Sequence, residues 1–105
     1  MLHYHVWFDL KPEIGEQEAI AAIRTFLSTL LCQQKIAGFR LLGNTGVAPG
    51  TVLPHYDALI EFNDEPQFGA AFDELREIGI HTNPHGTIVE MVTNFSADVF
   101  KELTN

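Results

Sequence analysis

Basic residues are scarce in this chain: six lysines and arginines stand against fourteen aspartates and glutamates, a formal charge of -8. Such a balance repels phosphate backbones and anionic lipid headgroups within the reach that salt screening leaves. Nucleic acid and membrane surfaces are therefore not expected as partners. Long apolar runs are missing too, none approaching the roughly 18 residues that suggest a membrane span. The opening Met1-Leu2-His3-Tyr4-His5 carries no basic segment of the kind that begins an export signal. One cysteine, Cys32, rules out an internal disulfide, and its place in a helical apolar pattern predicts a buried or half-buried reduced thiol. Together these absences suit a soluble, unprocessed, cytoplasmic protein.

Motifs for familiar chemistry are equally sparse. The stretch Gly43 to Gly50 contains Gly-x-x-Gly but no Gly-x-Gly-x-x-Gly and no following Lys-Ser/Thr, so it has no phosphate cradle and reads as a flexible lid or dimer arm. No serine sits in a strained turn motif, and Cys32 has no base of its own. No cofactor is expected.

What remains is a chain of 105 residues, 46% hydrophobic and 19% charged, enough to bury one core in a single domain spanning 1–105. Leu2, Tyr4, Val6, Phe8 and Leu10 alternate with His3, His5, Trp7 and Asp9, the period of two of a strand. After Lys11-Pro12, Ile20, Ile23, Leu27 and Leu30 recur at helical spacing, predicting a helix from about Ile14 to Gln34. A second strand over Ile36 to Leu42 ends in turn formers, and a third runs from about Val52 to Phe62. Asp64 and Gln67 form a capping-box pattern for a second helix, whose stripe is Phe68, Phe72, Leu75 and Ile78 and whose stop is Gly79. A fourth strand is expected over Thr87 to Phe95, then a short terminal helix over Ala97 to Leu103 capped by Ser96.

This order, strand-helix-strand-strand-helix-strand, specifies a ferredoxin-like α+β plait: a four-stranded antiparallel sheet with two helices on one face, plus the short C-terminal helix. The sheet's other face should be polar if it meets water, yet it carries Trp7, Leu59 and either Val89 and Met91 or Ile88 and Val92. A second copy of the same face is the expected cover, which makes a homodimer.

At this point the chain resembles the dimeric α/β-barrel superfamily, which takes in stress-responsive barrel proteins, antibiotic-biosynthesis monooxygenases, muconolactone isomerases and EthD-like proteins. The segments His5-Val6-Trp7-Phe8-Asp9-Leu10-Lys11-Pro12, Ile36-Ala37-Gly38-Phe39-Arg40 and Tyr56-Asp57-Ala58-Leu59-Ile60-Glu61-Phe62 are similar to the first three strands of the stress-responsive family. In that family a first-strand histidine, eight residues before the Lys-Pro-type turn, lines the ligand cavity; the spacing falls here on Tyr4. The family's His-Pro-x-His-like segment leads into helix, whereas Asn83-Pro84-His85-Gly86 reads here as leading into a strand. The resemblance implies cofactor-free oxygenase, isomerase or cyclase chemistry on an activated cyclic substrate, with a histidine moving protons.

The candidate catalytic residues are His5, His55 and His85. His55 beside Asp57 on the third strand suggests an oriented imidazole suited to general-base work. His3 and His5 point the same way and would share a metal ion if a third ligand such as His55, Asp57 or Glu61 came near; the plainer alternative is two hydrogen-bonded histidines at a dimer interface or sheet edge. His81 and His85 bracket a loop fixed by Pro84, with Pro84 and Gly86 arguing against helix. Tyr4, Trp7, Phe39 and Tyr56, with Asp57 as a polar contact, are the residues expected to line a pocket for a small organic ligand. The rival is a non-catalytic binding or stress-associated module. A catalytic pocket encloses His5, His55 or His85 beside open space; a non-catalytic module leaves them packed or solvated.

Overall fold

The structure of the protein, a computed structural model, describes residues 1–103. Its elements are β1 (Leu2–Leu10), α1 (Glu16–Cys32), β2 (Gly38–Gly43), β3 (Tyr56–Phe62), α2 (Glu65–Ile78), α3 (His85–Met91) and β4 (Val92–Lys101). The strands form one sheet in the order β2-β3-β1-β4, every neighbouring pair antiparallel. This is the ferredoxin-like α+β arrangement, with a third helix inserted before the last strand.

Alternation sorts the two faces of the sheet. Leu2, Tyr4, Val6, Phe8 and Leu10 of β1 meet Tyr56, Ala58, Ile60 and Phe62 of β3 on the inner face, where Phe8, Ala58 and Phe62 join buried Ile23 and Leu27 of α1 and Ile36 in one core cluster. Burying an aliphatic or Phe side chain of this size contributes about 1.5–3 kcal/mol. No side chain caps α1, which starts after Gly15, and Glu16 and Glu18 in its first turn suit the helix dipole. Asp64 caps α2 by accepting from the Gln67 amide at 2.9 Å, and Gln67 Oε1 accepts from the Asn63 amide at 2.7 Å. The third strand begins at Tyr56 and not at Val52, because residues 44–55 form a loop whose Pro54 cannot donate to a ladder.

Four expectations are corrected. The segment read as a fourth strand, Thr87 to Phe95, is helix α3 up to Met91; Pro84 and Gly86 precede or open that helix, positions where neither interrupts its hydrogen bonds. The segment read as a terminal helix, Ala97 to Leu103, is mostly β4, paired with β1 from Lys101 opposite Leu2 to Ser96 opposite Trp7. Consequently Ile88, Val89 and Val92 line the inner side, and Ser96, Asp98 and Phe100 take the places on the outer face. Cys32 ends α1 and is exposed, on the solvent side of the helix.

A bulge explains why β4 hides its pattern. Between the pairs Trp7 with Ser96 and Asp9 with Thr93, β4 carries one more residue than β1, and Asn94 takes a left-handed φ of 52° there. The extra residue resets the alternation, so Val92, Phe95, Ala97 and Val99 fall on the inner side.

Candidate functional site

Helix α2 leaves space over the inner face. Its first half approaches the sheet through Phe68, whose ring meets Phe62 edge-on at 5.1 Å and Tyr4 at 5.8 Å, and through Phe72, edge-on to Tyr4 at 5.3 Å. Yet no residue of α2 is buried. Farther along, Leu75 and Ile78 line a cavity of about 740 Å³ between the sheet and the three helices. That volume lies within the roughly 300–1,000 Å³ of small-molecule sites.

Apolar side chains make most of the wall, among them Val6, Ile23, Phe26, Leu30, Ile60 and Ile88. Two half-buried polar rings, those of Tyr4 and His85, interrupt it. The Tyr4 hydroxyl has no hydrogen-bond partner among the described residues, and burial holds its pKa above the usual phenol value. His85 lies 2.7 Å through Nδ1 from the Ile80 carbonyl. A carbonyl only accepts, so this bond assigns the hydrogen to Nδ1 and leaves Nε2 of the neutral ring as an acceptor. The ring packs edge-on against Phe26 at 5.7 Å. At the margin, Lys35 Nζ donates to Glu74 Oε1 at 2.6 Å, and Gln67 Nε2 donates to the Gln34 carbonyl at 3.0 Å, tying α2 to the turn after α1.

The remaining candidates lie elsewhere. Trp7, His5 and Asp57 are on the outer face, where His5 Nδ1 meets Asp57 Oδ2 at 2.8 Å and its ring stacks on Trp7 at 5.3 Å. Phe100 approaches both rings edge-on, at 5.4 and 6.2 Å. His3 lies 3.9 Å from Glu61, so each histidine has its own carboxylate; no group of three or more metal-ligating residues occurs among the described residues. Phe39 packs against the core. Tyr56 donates to Glu16 at 2.8 Å; its phenol pKa is raised by desolvation and by that carboxylate.

His55 is beside Asp57 in sequence but not bonded to it. Its ring meets Tyr56 at 4.6 Å, and its amide donates to Asp9 Oδ1 at 2.7 Å. Asp9 also accepts from Asn94 at 3.0 Å, and these two bonds, the Asn94 one foremost, hold its carboxyl below the usual range. Sequence spacing missed Lys35 and Glu74, residues of ordinary surface type; their only signal is that each neighbours an apolar stripe.

A ferredoxin-like α+β protein with an apolar cavity beneath its second helix is the class that this geometry defines. The chain belongs to a family of unknown function, DUF6614, whose model matches residues 1–105. No curated protein matches it significantly. Among solved structures, an Arabidopsis thaliana protein superposes with a TM-score of 0.77 at 5% identity, covering 100% of this chain and 98% of that one. A dimeric ferredoxin-like protein of unknown function from Jannaschia sp. CCS1 gives 0.70 at 19% identity, covering 96% and 98%. A ferredoxin-like protein of the dabb family from Mesorhizobium loti gives 0.60 at 16% identity, covering 98% and 97%.

Proposed function

We propose that this protein is a homodimer in which each subunit binds a small, largely apolar organic ligand in the cavity beneath α2. The observation that carries the reading is a hydroxyl without a partner among the described residues, that of Tyr4, at an apolar cavity that His85 also lines. A hydroxyl that faces open cavity space is available to a ligand's polar atom. An acceptor of fixed tautomer and a phenol donor are also the parts needed to move a proton on a bound substrate. They support cofactor-free oxygenase, isomerase or cyclase chemistry, with His85 as proton acceptor.

The dimer is supported by the outer face, where Phe100 remains 51% exposed beside Trp7, and by the description of the Jannaschia protein as dimeric. A second reading, a binding module without turnover, is favoured by how few polar groups the wall offers.

Calorimetric titration with a panel of apolar cyclic compounds, followed by product analysis, tests both. Binding with turnover that disappears in His85→Ala supports the enzyme; binding with every compound recovered unchanged supports the module. Absence of binding by any compound refutes the cavity's role.

A further inference from the structure

We infer that the cavity selects neutral amphiphiles, an alkyl body with one uncharged hydrogen-bonding head, and that the Lys35–Glu74 pair turns carboxylates away. This rests on the cavity being a ligand site.

The wall suits an alkyl body, and the ligand has an apolar way out: Ile78, Ile80 and Phe95 line the cavity while remaining 53%, 48% and 61% exposed. The head is decided by hydrogen bonding and charge. A hydroxyl both donates and accepts, so it serves at the Tyr4 hydroxyl or at His85 Nε2. A carboxylate only accepts, so it matches the Tyr4 hydroxyl but not His85 Nε2, and it brings a charge that needs a counterion when removed from water. Lys35 is the one lysine or arginine among the lining residues, and its ammonium is already held by Glu74 at 2.6 Å. The chain's formal charge of -8 adds a general repulsion of anions. Glu74 is thus a specificity-determining residue that acts through Lys35.

The test is calorimetric titration of the full chain with octanol and with octanoate at neutral pH and low salt. Octanol binds the wild type about tenfold more tightly than octanoate, the size of preference that one uncompensated, partly solvated charge produces. In Glu74→Gln the freed ammonium raises octanoate affinity by about tenfold and leaves octanol within about twofold. Both side chains are partly exposed, so the substitution spares the fold. Lys35→Met gives an independent readout, because it leaves Glu74 unpaired: octanoate weakens further and octanol holds.

Equal affinity of the wild type for both probes overturns the head-group inference and leaves the cavity reading standing. So does a Glu74→Gln protein with unchanged octanoate affinity, or a Lys35→Met protein that gains it. Failure of both probes to bind the wild type overturns inference and reading together.

Discussion

His5 donates through Nδ1 to Asp57 Oδ2 at 2.8 Å, joining β1 to β3 on the sheet face that no helix covers. The bond and the stacking on Trp7 fix the imidazole in place before any partner arrives. A fixed aromatic patch loses little side-chain freedom on association, which favours a tight interface. Phe100, edge-on to both rings, is the exposed member of that patch. Phe100→Glu is expected to weaken self-association by about 2 kcal/mol, the cost typical of an interface anchor. Sedimentation equilibrium measures it: the wild type runs as a dimer at micromolar concentration, the variant shifts to monomer, and a monomeric wild type refutes the dimer.

Tyr4→Phe separates binding from stability. The hydroxyl has no partner among the described residues, so its removal changes unfolding free energy by no more than about 0.5 kcal/mol. Affinity for a hydroxyl-bearing ligand falls by about 1 kcal/mol, one hydrogen bond's worth. A variant that loses stability and keeps affinity would show the hydroxyl to be part of the core.

The Asp9 carboxylate joins the end of the β2–β3 loop, through the His55 amide, to the bulge in β4, through Asn94. Its folded pKa is depressed, so its stabilising effect is complete above the unfolded value of about 3.9 and is lost as pH falls through the lower folded value. Asp9→Asn turns one acceptor into a donor facing the Asn94 amide. The expected result is a lower melting temperature at neutral pH and a wild-type advantage that disappears in acid. Melting curves from neutral pH down to the acid limb check this.

Gly86 has no room for a side chain. A Cβ there would come within 2.1 Å of the His81 carbonyl oxygen and 2.6 Å of its carbon, both backbone atoms that cannot swing aside. Gly86→Ala is expected to cost about 1–3 kcal/mol by overpacking and to displace the neighbouring His85. Urea unfolding with an unchanged m-value measures the first effect, and ligand titration measures the second.

The inner faces of β1 and β3 are legible in the sequence because a strict period of two survives there unbroken. The start of α2 is legible because Asp64 and Gln67 can make a capping box and little else. The last quarter is not. Ile88 and Val89 favour strand by local preference, yet α3 packs Ile88 against the core and sets Val89 at the cavity wall, where packing outweighs propensity. The bulge at Asn94 breaks the alternation of β4, and Ser96 then resembles a helix cap. That Tyr4 lines the cavity follows from its place on the inner face of β1. The bond of His5 to Asp57 does not, since pairing register cannot be read from either strand alone.

Helix α2 contributes no fully buried side chain: Phe68 and Phe72 hold its first turns to the sheet, and polar tethers hold it at the cavity margin. The far end of the roof, at Leu75 and Ile78, is therefore held less tightly to the core than the floor is. Substitutions at Leu75 or Ile78 are therefore expected to reshape the cavity at little cost to folding, leaving the architecture in place.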